Sequence, residues 1–404
     1  MSRISDAILA FHNWRNGVYK VRGRVVKQEH PLRIGVLGAA AINNAAIIDP
    51  VFTHPGAILA AIAARDRSRA QAQVDSNRLG PSCKAYGSYA ELLADPNIDA
   101  VYIALPNSLH SEWAIKAMLA GKHVLVEKPI ASNAAEARQI ESTAIQTNKV
   151  ALEAFHWRFH PAAHTVKELT DSGRYGLPLS IFAKLKIPSG AFSRDDIRLQ
   201  YKLAGGSCMD LTYVFSATTY FASSDITKCK LNILNASPRL DFLDPNIDTG
   251  METEFVVEEQ DKPTVHCHTQ SDLRMPLLFG FIPRLWDMSP YLTIELEKAR
   301  IEFTNFVLPS YGHSITITEK DEQGTVPGKK QKISSYDNGP YWKTRGEIWW
   351  TTYRWQLEAF VEAVRARESG MTYEGPWMSL KESVKVMELI DAVYEKAGLP
   401  VRGV

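Results

Sequence analysis

Over the first third of the chain, short uninterrupted apolar runs alternate with segments of helical periodicity. Leu32–Leu37 reads as a strand and leads into Gly38-Ala39-Ala40-Ala41-Ile42-Asn43, where a helix is expected to open. Ala57–Ala64, Asp99–Leu105, His123–Val126 and Val150–Ala154 continue the series. Runs this short and apolar throughout suit strands covered on both faces, as in a parallel sheet. Between them, Trp113, Ile115, Met118 and Leu119 keep helical spacing up to Gly121, a helix-terminating residue. Asn133, with Glu136 three residues on, has the form of a capping box for the next helix. After Ala154 the pattern becomes one helix followed by extended, alternating segments: Leu179–Lys186, Lys228–Ala236, Glu252–Glu258, Pro263–Thr269, Leu292–Leu296, Ala299–Phe303 and Ser314–Glu319. These predict a large, mostly antiparallel open sheet with helices on one face. Lys320–Gly339 is polar and turn-rich and reads as a surface excursion, and Trp350–Arg367 and Leu380–Ala397 read as amphipathic helices.

Three strand ends carry candidate chemistry. In an open parallel sheet ligands bind beyond the carboxyl ends of the strands, so Glu127-Lys128-Pro129, directly after His123–Val126, places a lysine where reactions occur. A dinucleotide-binding turn would need glycines after the first strand for the tight turn, for close backbone approach to the pyrophosphate and for helix packing. Only Gly38 is intact; Ala40 and Asn43 stand at the other two positions. The second strand delivers Arg65-Asp66-Arg67. An acidic residue there would accept from ribose hydroxyls, whereas the leading arginine favours a 2′-phosphate and hence NADP.

The order of a degenerate glycine turn, Ala-Arg-Asp, Leu-Pro-Asn-x-x-His, Glu-Lys-Pro, Glu-Ala-Phe-x-x-Arg-Phe-His-Pro and Gly-Gly-x-x-x-Asp resembles the Gfo/Idh/MocA oxidoreductase superfamily. Within it, the chain is most similar to the NADP-dependent dihydrodiol and D-xylose dehydrogenase branch, over about Leu32 to Leu399. The resemblance implies an α/β architecture. An N-terminal extension (1–30) precedes a Rossmann NADP-binding domain (31–155) and a C-terminal α+β domain (156–404) for substrate and oligomerisation. It implies cofactor contacts at Gly38, Ala40, Ile42, Arg65, Leu105, Pro106, Asn107, His110, Glu127, Lys128, Trp157 and Arg158. It further implies that Lys128 is catalytic and that Asp210 is the substrate-side carboxylate. One departure stands out: the family's His or Tyr four residues after that aspartate is Val214 here. If the segment is one helix, Tyr213 can serve as the proton relay from an adjacent angle; a core tyrosine is the competing reading. His156 is expected to line the substrate pocket with Asp210 and Tyr213, and His160 to wall it.

Composition narrows the classes further. With 404 residues, 45% hydrophobic content and a formal net charge of +1, the chain has no bulk electrostatic attraction for nucleic acid or membrane. Residues 1–30 hold Ile4, Ala7, Ile8 and Phe11 at helical spacing without the continuous apolar core of a signal peptide, and read as an interfacial helix or oligomer arm. Cys83, Cys208, Cys229 and Cys267 form no Cys-x-x-Cys pair and fit a reducing, cytoplasmic compartment. His156, His160 and His164 repeat every four residues, but Pro161 disfavours helical geometry at His160, and no metal is expected there or at His266-Cys267-His268.

The expected activity is hydride transfer between NADP and a sugar carbinol, with a homodimer or higher homo-oligomer built on the C-terminal sheet. The alternatives are dehydrogenation of a trans-dihydrodiol in a pocket walled by Phe155, Trp157, Phe159 and Tyr213, a nicotinamide-dependent lyase or isomerase, and a non-catalytic NADP-binding protein.

Overall fold

The strands predicted for the first third do form, and they lie in one parallel sheet. The computed structural model describes residues 2–403 apart from 280, 283, 285, 286, 322–327 and 338, with side chains from Asp6 onward. Its chain divides into two units: Met1–Ala131 with Ala135–Phe159 and Gly346–Leu380, and Ser132–Ala134 with His160–Arg345 and Lys381–Val404.

The first unit opens with α1 (Ser2–Arg15) and α2 (Val18–Arg22). Then follow β1 (Leu32–Leu37), α3 (Asp49–Thr53), β2 (Ala57–Ala63), α4 (Arg67–Ser76), β3 (Lys84–Tyr86), α5 (Tyr89–Ala94), β4 (Ala100–Ile103), α6 (His110–Leu119), β5 (His123–Val126), α7 (Ala134–Thr147) and β6 (Ala151–Glu153). Among the described residues the sheet has six strands in the order β3-β2-β1-β4-β5-β6, every neighbouring pair parallel. This doubly wound order reverses between β1 and β4, the switch point where such sheets bind ligands. Val36, Ile62, Val101 and Val126 are fully buried, as two-sided coverage requires. The helix expected to open within Gly38–Asn43 begins at Asn43: after the turn at Gly38, one π-helical turn, Asn44–Ile48, runs into α3.

The N-terminal extension packs on the first unit through one face of α1 and through α2. In α1, Leu9, His12 and Asn13 are buried. The Asn13 amide donates to Asp49 at 2.7 Å, Arg22 pairs with the same carboxylate, and His12 Nε2 lies 2.9 Å from the Trp349 carbonyl.

The second unit begins with α8 (Pro161–Asp171), β7 (Pro178–Pro188), α9 (Ser207–Asp210) and α10 (Tyr213–Ala222). It continues through β8 (Lys230–Leu240), β9 (Asp248–Glu258), β10 (Val265–Met275), β11 (Tyr291–Leu296), β12 (Ala299–Thr304), β13 (Ser314–Glu319) and β14 (Lys330–Ile333). Its eight described strands run in the order β14-β13-β12-β11-β7-β10-β9-β8, antiparallel at every step except β7 with β10. The surface excursion expected at Lys320–Gly339 therefore contains a strand, β14, while residues 322–327 and 338 of that call lie outside the described residues.

The chain then returns. α11 (Thr352–Glu368) belongs to the first unit and α12 (Leu380–Lys396) to the second, so a boundary at 155/156 does not separate the two. α11 buries Tyr353, Trp355, Leu357, Phe360, Val361 and Val364 and packs on α3 and the π turn. Its Glu358 meets His54 Nε2 at 3.2 Å and Arg354 at 2.6 Å.

Candidate active site

The first unit gathers its candidates at the carboxyl ends of β1, β2, β4 and β5. Gly38 has φ +102°, and a Cβ there would sit 2.5 Å from the Ala104 carbonyl oxygen, so this turn admits glycine alone. Ala40 is half-buried and Ile42 is exposed. Asn43 is fully buried, and its amide donates to the Gly38 carbonyl at 2.7 Å and to Gln73 Oε1 at 2.9 Å. Gln73 in turn donates to the Ala40 carbonyl at 2.9 Å. The missing third glycine is thus replaced by a side-chain tie from the turn to α4, which nothing in the motif announces.

Arg65 is exposed where β2 ends. The neighbouring Asp66 carboxylate accepts from Ser68 N at 2.8 Å, capping α4, and that hydrogen bond lowers its pKa. The acid that would otherwise face a ribose is occupied by its own helix.

Beyond β4, Leu105 is buried and Pro106 and Asn107 are half-buried. His110 departs from the expectation of a cofactor contact: it is fully buried, with Nδ1 2.7 Å from the Pro129 carbonyl and Nε2 2.9 Å from the Leu105 carbonyl. Burial holds its pKa down at about 4. It ties the loop after β4 to the loop after β5. Beyond β5, the buried Glu127 accepts from the Tyr102 hydroxyl at 2.6 Å. Lys128 is half-buried and precedes a cis peptide to Pro129, and Ile130 N donates to Glu153 Oε1 at 2.9 Å. The lysine is therefore flanked by anchored backbone on both sides. His156 is buried against Tyr353, ring centroids 4.1 Å apart, and burial together with the charge of Lys128 pushes its pKa down to about 3. Trp157 and Arg158 are buried beside it. Phe155, Trp157 and Phe159, offered by the sequence as walls of an apolar pocket, are at most 1% exposed and are core.

In the second unit, Asp210 closes α9 and Tyr213 opens α10, with Leu211 at φ −99°, ψ 32° between them. A continuous helix through Asp210 and Tyr213 is thus not formed, and the spacing argument that put both on one face does not hold. Val214 is fully buried and Tyr213 is 8% exposed, while Asp210 is half-buried. α9 is pinned from below: the Asp248 carboxylate accepts from Ser207 Oγ at 2.7 Å and Cys208 N at 2.9 Å, and pairs with Arg402 at 2.9 Å, both side chains fully buried. Arg198, which the sequence reading passed over, lies with its Nε 3.0 Å from Asp210 Oδ2. Eleven residues, including an irregular loop, separate the two, so no periodicity links them.

The histidine repeat is broken as expected. His160 Nδ1 accepts from Ala162 N at 3.2 Å, capping α8, and His268 pairs with Glu252 on the neighbouring strand at 2.7 Å. Among the described residues no group of three or more His, Cys, Asp or Glu is arranged to hold a metal, and no helix is long and apolar enough to cross a membrane.

Residues 32–155 match the Gfo/Idh/MocA family, described as an oxidoreductase family with an NAD-binding Rossmann fold. A D-xylose 1-dehydrogenase (NADP(+)) of Haloferax volcanii is 32% identical over 369 residues, covering 91% of this chain and 97% of that protein. A trans-1,2-dihydrobenzene-1,2-diol dehydrogenase of Xenopus tropicalis is 30% identical over 181 residues, 44% of this chain and 52% of that one. The crystal structure of a 3-ketoreductase from Actinomadura kijaniata with NADP and TDP-benzene shares the fold, with a TM-score of 0.71 at 23% identity over 91% of this chain and 98% of that chain. From its nearly full-length likeness to the Haloferax dehydrogenase and the family match over its parallel-sheet unit, the chain belongs to the Gfo/Idh/MocA oxidoreductases.

Proposed function

We propose that this oxidoreductase dehydrogenates the anomeric carbinol of a neutral aldose, of the D-xylose class, with NADP as hydride acceptor. The observation that carries the reading is the 32% identity to a D-xylose 1-dehydrogenase (NADP(+)) over almost the whole of both chains. The first unit fits the cofactor. Gly38 lets the turn after β1 close tightly against the Ala104 carbonyl, and Arg65 is exposed beside an aspartate already engaged in a helix cap. Gly38, Ala40 and Ile42 would border the pyrophosphate, Arg65 the 2′-phosphate, and Leu105, Pro106, Asn107, Glu127, Lys128 and Arg158 the remainder, with the fully buried Trp157 supporting them from the core. His110 would act by holding two of those loops.

Bound NADP supplies the hydride chemistry; the chain must orient the carbinol and take its proton. Lys128 is the proton acceptor, placed by the Glu127 and Ile130 anchors described above. Asp210 accepts a sugar hydroxyl, and Tyr213 relays the proton in place of the residue lost at position 214. The lactone that leaves hydrolyses in water. We place the enzyme in the cytoplasm as a homo-oligomer assembled through the second sheet, in keeping with four free, buried cysteines.

A screen of aldoses and aromatic diols, following reduced nicotinamide by absorbance, tests the reading. Aldose-dependent reduction of NADP is expected, and Lys128→Met should lower it by about 10² to 10⁴ while NADP still binds. Turnover restricted to diols, or near-normal activity in Lys128→Met, would overturn it.

A further inference from the structure

We propose that Arg198 is a positioning residue for Asp210, fixing the carboxylate so that it presents an acceptor to a substrate hydroxyl; this rests on the reading of Asp210 as the substrate-side carboxylate. Five contacts converge on the Arg198 side chain and its backbone. Nε lies 3.0 Å from Asp210 Oδ2, and Nη1 lies 3.0 Å from Asp196 Oδ1. The guanidinium lies over the Phe192 ring, 4.6 Å from its centroid. The backbone is held as well: Asp196 caps the Ile197–Leu199 turn by accepting from Arg198 N at 3.1 Å, and the Arg198 carbonyl accepts from Gly206 N at 2.9 Å.

The last bond explains the Gly-Gly pair ahead of Asp210. A Cβ on Gly205 would lie 2.6 Å from the Arg198 carbonyl oxygen, and one on Gly206, at φ +133°, would lie 2.2 Å from Asp248 Oδ1. Two bare glycines let the strap carrying Arg198 close onto α9 from one side while Asp248 holds it from the other. An arginine serves here where a lysine would serve less well, because its planar fork can engage two carboxylates and an aromatic face at once. Two carboxylates share one guanidinium. The charge of Asp210, in turn, raises the pKa of Arg198, so the cation persists at any working pH.

The test is steady-state kinetics at saturating NADP with the aldose varied, on the full chain and on Arg198→Met, Arg198→Lys, Asp210→Asn and the Arg198→Met/Asp210→Asn double variant. Loss of an oriented charged acceptor predicts a KM higher by about ten- to a hundredfold in Arg198→Met with kcat within a few-fold. Arg198→Lys should recover only part of the affinity, because an ammonium cannot bridge both carboxylates, and adding Arg198→Met to Asp210→Asn should change nothing further. An unchanged KM with a lower melting temperature would mean that Arg198 only staples the loop, and a further KM loss in the double variant would mean that it acts on substrate directly; either overturns the proposal. Absence of aldose turnover in the unmodified chain overturns the functional reading and this inference with it, whereas turnover with an indifferent Arg198→Met removes the inference alone.

Discussion

At the scale of single residues, cofactor choice turns on the end of β2. A charged hydrogen bond contributes about 1.5–3 kcal/mol, so Arg65→Ala should weaken NADP about ten- to a hundredfold and leave NAD nearly unaffected. Isothermal titration with both dinucleotides checks this, and equal losses would remove Arg65 from the 2′-phosphate. The proposed proton relay is tested at Tyr213. Tyr213→Phe deletes one hydroxyl, and if that hydroxyl relays the proton the single-turnover rate falls at least about tenfold. An unchanged rate with a melting point lowered by the loss of roughly 1 kcal/mol would make Tyr213 a core residue and leave Lys128 as the proton route. Restoring the family spacing with Val214→Tyr is a poor complement, because Val214 is fully buried and a tyrosine there overpacks the core.

At the scale of elements, α11 is held to the first unit by an ionised network with a pH signature. His54 Nδ1 accepts from Gly56 N at 2.9 Å, so its Nε2 carries the proton facing Glu358. Burial alone would raise the Glu358 pKa, but His54 and Arg354 outweigh it and hold the carboxyl at about 2, against an ordinary 4.5. A depressed carboxylate contributes stability that is complete above its unfolded pKa and lost as pH falls through the folded one. The window is therefore about pH 4.5 down to about 2, and the whole contribution is on the order of 3 kcal/mol. Melting curves across that range should steepen their decline in the unmodified chain and flatten in Glu358→Gln; parallel declines would show that the network does not couple to folding. The same scale shows what a sequence can and cannot disclose. β1, β2, β4 and β5 were legible because two-sided burial leaves an uninterrupted apolar signature. β3 was missed because three residues, exposed Lys84, buried Ala85 and half-buried Tyr86, are too few to carry a pattern, and β14 because Lys330–Ile333 is polar edge strand. The break between α9 and α10 escaped notice because no proline or glycine marks it. At the site, the strand-end residues were legible from their order, whereas Asn43–Gln73, His110 as a clamp and Arg198–Asp210 depend on loop geometry that brings distant side chains together.

At the scale of the whole molecule, the two units are interleaved in sequence: the first needs Gly346–Leu380, which follows nearly all of the second. A fragment ending at Phe159 lacks α11 and leaves bare the apolar face that α11 covers. It should give no cooperative melt and bind NADP weakly, and supplying Gly346–Leu380 as a separate peptide should recover both; a fragment that folds and binds unaided would contradict this. The interleaving also has a consequence for synthesis. On the ribosome, the surface of α3 and the π turn emerges early and stays bare until α11 arrives, after all of His160–Arg345 has been translated. At roughly 5–20 residues per second that interval is on the order of fifteen to sixty seconds. During it the nascent nucleotide-binding half exposes sticky surface to the cell, so its yield in vivo should depend on chaperones that engage the growing chain rather than on those that meet it after release.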